Sequence, residues 1–208
     1  MSEVTYWSGI YKKKDIPSEP SKFAIFVKDI LKDVNTVLEV GSGNGRDAYF
    51  WGKTCNVNAY DIATKPVDTQ TVTFHQANMK DICGTYDLMY SRFSLHSVTE
   101  DVEDFLLAFC KRNCKYVAIE CRSTKDALAS GLNNKNEGSH ETSYAKAHYR
   151  RYVDFELFKT KLMGLGFTIQ HASESDTYAP YNGYNPMCLR IIAKTYDQAE
   201  PRGNMGLI

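Results

Sequence analysis

Residues 37 to 50 read VLEVGSGNGRDAYF. An apolar run carrying Glu39 ends at Gly41; Gly43 and Gly45 follow at alternate positions, with Ser42 and Asn44 between them and Arg46 next. Glycine has no Cβ, so a chain built this way can turn sharply and let a ligand approach its backbone. A helix beginning at Arg46 would present free N–H groups at the same place. In an open α/β sheet such a loop stands outside the C-terminal ends of the strands, where ligands bind. A tight turn alone needs one glycine, so three point to a ligand. Asp61 stands twenty positions beyond Gly41 and closes the next apolar run. A carboxylate there can accept both hydroxyls of a ribose, although an Asp after a strand also serves as an ordinary turn former. The dinucleotide fingerprint has its third glycine three positions after the second. This chain has Arg46 there, and its third glycine arrives one position early, as Gly45.

Other chemistry-bearing residues also follow apolar runs. YSRFSLHS (Tyr90 to Ser97) and ECRSTKD (Glu120 to Asp126) supply Tyr90, Arg92, His96, Glu120, Arg122 and Lys125. HYRRY adds His148, Arg150 and Arg151. Guanidinium groups favour bidentate contact with carboxylate or phosphate, so several converging on one cleft would hold an anion. Singly, each Arg is as readily a surface or ion-pair residue. A His in a loop after a strand can act as a general base near neutral pH. His96 and His148 are the candidates, and His96 can equally be a structural cap. Tyr6, Trp7 and Tyr11 precede the first helical pattern. They either pack as a hydrophobic arm or offer their faces to a cationic ligand.

The elements that must position these residues follow from pattern. Phe23, Phe26, Val27, Ile30 and Leu31 repeat at helical spacing, after a start signal at Ser18-Glu19-Pro20. Buried strands are predicted at Thr36 to Val40, Val57 to Tyr60, Thr71 to His75, Tyr86 to Tyr90 and Tyr116 to Glu120. Helices are predicted over Arg46 to Lys53, over Val102 to Phe109 behind a capping box at Ser97 to Glu100, and over Phe155 to Leu165, closed by Gly166. Phe167 to His171 and Leu189 to Lys194 are the last strands, expected to pair antiparallel at one edge. Residues 122 to 150 read as a polar insertion, long enough to suggest function. Alternating strands and helices predict a doubly wound, mostly parallel sheet.

Composition bounds the rest. The chain has 208 residues, suited to a single domain over 1–208. Lys plus Arg and Asp plus Glu are 25 each, so net charge is zero, which disfavours nucleic acid as a partner. No apolar run approaches the roughly 20 residues of a membrane span. The first fifteen residues lack the apolar core and cleavage site of a secretory signal. The six cysteines form no Cys-x-x-Cys pair, which fits reduced thiols and a cytoplasmic location. No acidic triad for a catalytic metal stands out, so no metal is expected.

Glu39 to Gly45 has the form E-x-G-x-G-x-G. With Asp61 and the strand order, it resembles motif I of the class I S-adenosylmethionine-dependent methyltransferases, over roughly residues 19 to 195. The resemblance implies an α/β fold with seven strands, mostly parallel, the final one antiparallel. It implies S-adenosylmethionine as cofactor, its amino-acid end held by Glu39, Gly41, Ser42, Gly43, Asn44, Gly45 and Arg46, and its ribose by Asp61. Asn78 corresponds to a position contacting the adenine amino group; Ile62 and Met79 either cover the adenine or pack in the core, and Tyr90 stands close by. Residues 1 to 18 would form a lid over the cofactor. The acceptor would lie over the ends of the fourth and fifth strands. There Tyr6, Trp7, Tyr11, Arg122, Arg150 and Arg151 would meet it, and His96, His148 and Arg92 would act on it. The expected acceptor is a small anionic molecule methylated on oxygen. GNGRD, YSRFSLHS, ECRSTKD and HYRRY are similar to strings in stand-alone bacterial-type enzymes, among them tellurite-resistance-like and polysaccharide- or phosphonate-modifying methyltransferases. The Asn-Pro-Pro-Tyr motif of amino-targeting DNA methyltransferases is absent. Methylation of RNA or protein, and non-catalytic cofactor binding, are the alternative readings.

Overall fold

The computed structural model describes residues 2–12, 17–127, 129, 149–181 and 183–195. His148 and most of the predicted polar insertion lie outside them. Seven strands form one sheet: β1 (Thr36–Val40), β2 (Asn56–Asp61), β3 (Val72–Gln76), β4 (Tyr86–Arg92), β5 (Cys114–Arg122), β6 (Phe167–Ser175) and β7 (Cys188–Thr195). Their order is β3-β2-β1-β4-β5-β7-β6. β1 to β5 pair in parallel, and β7 runs antiparallel to both β5 and β6. This is the expected sheet with its antiparallel final strand. The last two strands do pair at one edge, but β7 is inserted and β6 is the outer strand.

Five helices complete the described chain: α1 (Glu3–Tyr11), α2 (Lys22–Ile30), α3 (Arg46–Gly52), α4 (Glu100–Asn113) and α5 (Phe155–Gly164). The central strands are buried on both faces, so successive residues feed two different cores. Leu38, Met89, Val117 and Ile119 point into one, with Leu106 and Leu107 of α4 and Phe158 and Leu162 of α5. Val37, Leu88, Tyr90 and Ala118 point into the other, with Phe23 and Val27 of α2 and Ala48 and Trp51 of α3. The strand ends therefore meet between two helical layers, at the edge where β1 turns into α3.

Two predicted helix starts are corrected. α2 is capped by Ser21, whose Oγ accepts the Ala24 N–H at 3.0 Å. That serine also donates to Asp47 at 2.7 Å, a tertiary contact Ser18 does not make. α4 starts at Glu100 behind Thr99, and Ser97 ends a separate 3-10 turn, Leu95–Ser97. The proposed Ser97 capping box is thus absent. Glu100, Asp101 and Glu103 in the first turn complement the helix dipole instead.

Candidate functional site

The three glycines all have positive φ: 73° at Gly41, 55° at Gly43 and 79° at Gly45. The Gly41 and Ser42 N–H groups both donate to the Tyr60 carbonyl, at 2.7 and 3.1 Å. The loop is thereby folded back across the end of β2. Each glycine also yields room to a neighbour. A Cβ on Gly41 would collide with Ser94 Oγ, one on Gly43 would come 2.7 Å from the Tyr11 ring, and one on Gly45 2.7 Å from Phe74. Gly45 caps α3 without lining the cavity described next.

Above the loop lies a cavity of about 930 Å³, walled by the loop, the ends of β2, β4 and β5, and α1. At its foot stand Glu39 and Ser42, 3% and 6% exposed. Glu39 Oε2 and Ser42 Oγ have no hydrogen-bond partner among the described residues. Burial, and then the charge of Asp47, push the Glu39 carboxyl well above its ordinary range. Asp47 was not anticipated. Buried at the start of α3, it accepts from the Ser21 N–H and hydroxyl at 2.7 Å each and from the Tyr90 hydroxyl at 2.8 Å. It ties α2 to the loop, and an acidic residue in a helix's first turn was the only sequence signal for it.

Asp61 lines the cavity. Its Oδ2 accepts the Gly43 N–H at 2.9 Å and its Oδ1 the Ala63 N–H at 2.8 Å. The side chain therefore straps the glycine loop to the end of β2. Burial raises its carboxyl, and those N–H groups oppose the rise. Ile62, Asn78 and Met79 also line the cavity. Asn78 caps a 3-10 turn, its Oδ1 accepting the Lys80 N–H at 2.9 Å. Asn44 and Arg46 stand at the rim, with the Asn44 amide donating to the Pro17 carbonyl at 2.8 Å.

At the other end Arg92, Arg122 and Arg150 share the cavity with His96. Arg92 Nε donates to Glu120 Oε1 at 2.8 Å, and Arg190 Nε to Glu120 Oε2 at 2.6 Å. Buried Glu120 is thus held between two guanidiniums, and Arg92 is fixed by its Nε contact. Its guanidinium lies 4.3 Å from the centre of the Phe93 ring. Phe93 has φ 56°, a conformation a bulky residue seldom holds, and it too lines the cavity. Burial, and then the like charge of Arg122, lower the Arg150 pKa. His96, 2% exposed, accepts the Arg122 backbone N–H on Nδ1 at 3.2 Å. In a neutral imidazole this puts the proton on Nε2.

α1 covers the cavity, with Trp7 and Tyr11 in its wall. Their rings stack 6.2 Å apart. Burial raises the Tyr11 hydroxyl pKa, and the charges of Asp61 and Glu39 raise it further. Besides Gly45, three expected site residues are not in the wall. Tyr90 is fully buried beneath it, stacked on Phe23 and bonded to Asp47. Tyr6 packs edge-on against Trp7 at 5.1 Å. Arg151 turns inward, with an Nη paired to buried Glu103 and Nε on the Leu95 carbonyl at 3.2 Å. Lys125 is taken by Glu174 at 2.5 Å. Tyr149, Tyr181 and Tyr184 enter the wall unannounced. A Tyr-, Pro- and Gly-rich link between β6 and β7 was the sequence trace of the last two.

No family model matches this sequence, and no curated protein does. Solved structures do match in fold. An S-adenosylmethionine-dependent methyltransferase of Methanosarcina mazei aligns with TM-score 0.65 at 15% identity, over 82% of this chain and 96% of that one. One from Mesorhizobium loti gives 0.62 at 18%, over 82% and 96%. The 1,6-didemethyltoxoflavin-N1-methyltransferase of Burkholderia thailandensis, with 1,6-didemethyltoxoflavin and S-adenosylhomocysteine bound, gives 0.62 at 19%, over 84% and 76%. At these identities the likeness establishes the class I methyltransferase fold.

Proposed function

We propose that this chain is an S-adenosylmethionine-dependent methyltransferase acting on an oxygen of a small anionic acceptor. The observation carrying this reading is the foot of the cavity. Glu39 Oε2 and Ser42 Oγ are buried without partners among the described residues, beside the glycine loop. They are the groups an α-amino acid end would satisfy, its ammonium on the carboxylate and its carboxylate on the hydroxyl. Asp61 keeps spare lone pairs for ribose hydroxyls while it holds the loop. Asn78 would meet the adenine edge, and Ile62 and Met79 its faces. Bound there, the cofactor supplies an activated methyl group on a cationic sulfur.

The chain's own task is then to hold the acceptor, exclude water and orient its oxygen. Arg92, Arg122 and Arg150 hold the anion, with Arg92 steadied by Glu120. His96 accepts the Arg122 N–H on Nδ1, so that nitrogen does not take the acceptor's proton. α1 closes the cavity from solvent with Trp7 and Tyr11.

Calorimetry tests the cofactor half. S-adenosylmethionine and S-adenosylhomocysteine should bind and NAD should not; the reverse result overturns the assignment. Release of S-adenosylhomocysteine across hydroxylated carboxylates, phosphates and phosphonates tests the acceptor half. Turnover confined to neutral acceptors would remove the anion from the proposal.

A further inference from the structure

We propose that Tyr184 and Asp126 form a proton relay that deprotonates the acceptor hydroxyl, an inference that rests on the methyltransferase reading above. Tyr184 lines the acceptor end of the cavity, and Asp126 stands behind it, 1% exposed. The Tyr184 hydroxyl donates to Asp126 Oδ1. Arg122 Nη1 lies 3.5 Å from both Asp126 Oδ2 and the Tyr184 oxygen. Among the described residues, the charged and titratable groups that act on Tyr184 are Asp126, Arg122 and Tyr152. Reciprocal backbone hydrogen bonds between Tyr181 and Tyr184, at 2.9 and 3.0 Å, fix the turn that carries the ring. With its proton committed to Asp126 and one lone pair turned to Arg122 Nη1, the Tyr184 oxygen keeps a lone pair to accept from a substrate hydroxyl. The neighbouring His96 has its acceptor nitrogen occupied by the Arg122 N–H.

The step balances. As the acceptor oxygen bonds the methyl carbon, the methyl–sulfur bond breaks and its electron pair stays on sulfur. The acceptor proton passes to the Tyr184 oxygen while the Tyr184 proton passes to the Asp126 carboxylate. Tyr184 touches the acceptor and Asp126 acts through it. No phenolate accumulates, which suits a tyrosine whose ionisation burial and Asp126 both oppose.

Two measurements on the full chain decide the matter. In protein labelled with 13Cζ-tyrosine, Tyr184 (assigned by its loss in Tyr184→Phe) should ionise at lower pH in Asp126→Asn than in wild type. Identical titration would show the two groups out of contact and overturn the relay. Kinetics use whichever hydroxylated carboxylate or phosphate gives most S-adenosylhomocysteine with wild type. There Tyr184→Phe and Asp126→Asn should each lower kcat by about 10²–10⁴-fold with little change in KM. The double variant should lose no more than either single one. Without the relay only pre-ionised acceptor reacts, so kcat of the variants should rise about tenfold per pH unit below the acceptor's pKa. Asp126→Glu should recover part of the rate. Wild-type kcat in both variants overturns the relay, and so does a flat pH profile. Binding of S-adenosylhomocysteine is the separate control. Its retention by both variants shows the fold intact, and its absence in wild type defeats the methyltransferase reading while the titration still judges the Tyr184–Asp126 contact.

Discussion

Glu39→Gln is the substitution on which stability and function should part. The wild-type carboxylate is 3% exposed, and its Oε2 finds no partner among the described residues. Burial and Asp47 raise its pKa above the ordinary value of 4.5. An acid raised in the folded state binds more protons folded than unfolded over the window between its two pKa values. Its contribution to stability is therefore complete below the ordinary value and is lost as pH rises through the raised one. One proton sets the limiting slope at about 1.4 kcal/mol per pH unit. Gln keeps the shape and removes the charge. The ligand-free variant should match wild type near pH 4 and exceed it at pH 8. Removal of the unpaired buried charge is worth about 1–3 kcal/mol, and each kcal/mol moves the melting temperature of a chain this size by about 2–4 °C. Affinity should move the other way. Loss of one charge-assisted contact to the ligand's ammonium costs about 1.5–3 kcal/mol, or ten- to hundredfold in Kd. Thermal melts from pH 4 to 8 and calorimetry with S-adenosylhomocysteine read both effects. A variant with wild-type affinity and an unchanged pH slope would refute the reasoning, because the Glu39 carboxyl would then titrate alike in the folded and unfolded chain and would not be used by the ligand.

Three further outcomes follow from the same geometry. Arg122→Ala and Arg150→Ala should each raise KM for an anionic acceptor about ten- to hundredfold while S-adenosylhomocysteine affinity holds; an unchanged KM in both removes them from the acceptor site. Gly43→Ala should weaken S-adenosylhomocysteine binding, since its Cβ meets the Tyr11 ring at 2.7 Å and its φ is 55°. Adding Tyr11→Ala should restore part of that affinity, and no restoration would mean that backbone strain alone is responsible. Arg151→Ala should cost about 1.5–3 kcal/mol in urea unfolding, because it strips buried Glu103 of one of its two cationic partners and leaves Lys161 at 2.7 Å. The same variant should leave KM unaltered, and a selective rise in KM without loss of stability would return Arg151 to the acceptor site.

What could be read from the chain alone was local. The glycine loop, the strand ends and Asp61 are legible because a few adjacent residues impose them: φ above zero demands glycine, and a strand buried on both faces must be apolar throughout. Partnerships across the fold left no such trace. Nothing near Tyr90 announces Asp47, 43 positions away, and nothing near Asp126 announces Tyr184, 58 positions away. Ser21 outcompetes Ser18 as a cap only because Asp47 is there to meet it.

Arg150 and Arg151 show why proximity in sequence does not suffice. They are neighbours of one residue type, and their segment runs beside the ends of β4 and β5. The Arg151 N–H donates to the His96 carbonyl at 2.8 Å, and the Val153 N–H to the Arg122 carbonyl at 3.0 Å. In extended chain successive side chains leave on opposite sides. One arginine must then face the cavity and the other the core, and the sequence carries no sign of the parity. Glu103 settles it. A guanidinium turned inward needs a buried carboxylate, and α4 places one opposite residue 151. The arginine left to line the cavity is therefore Arg150, selected by the position of an acid on a helix 47 residues earlier in the chain.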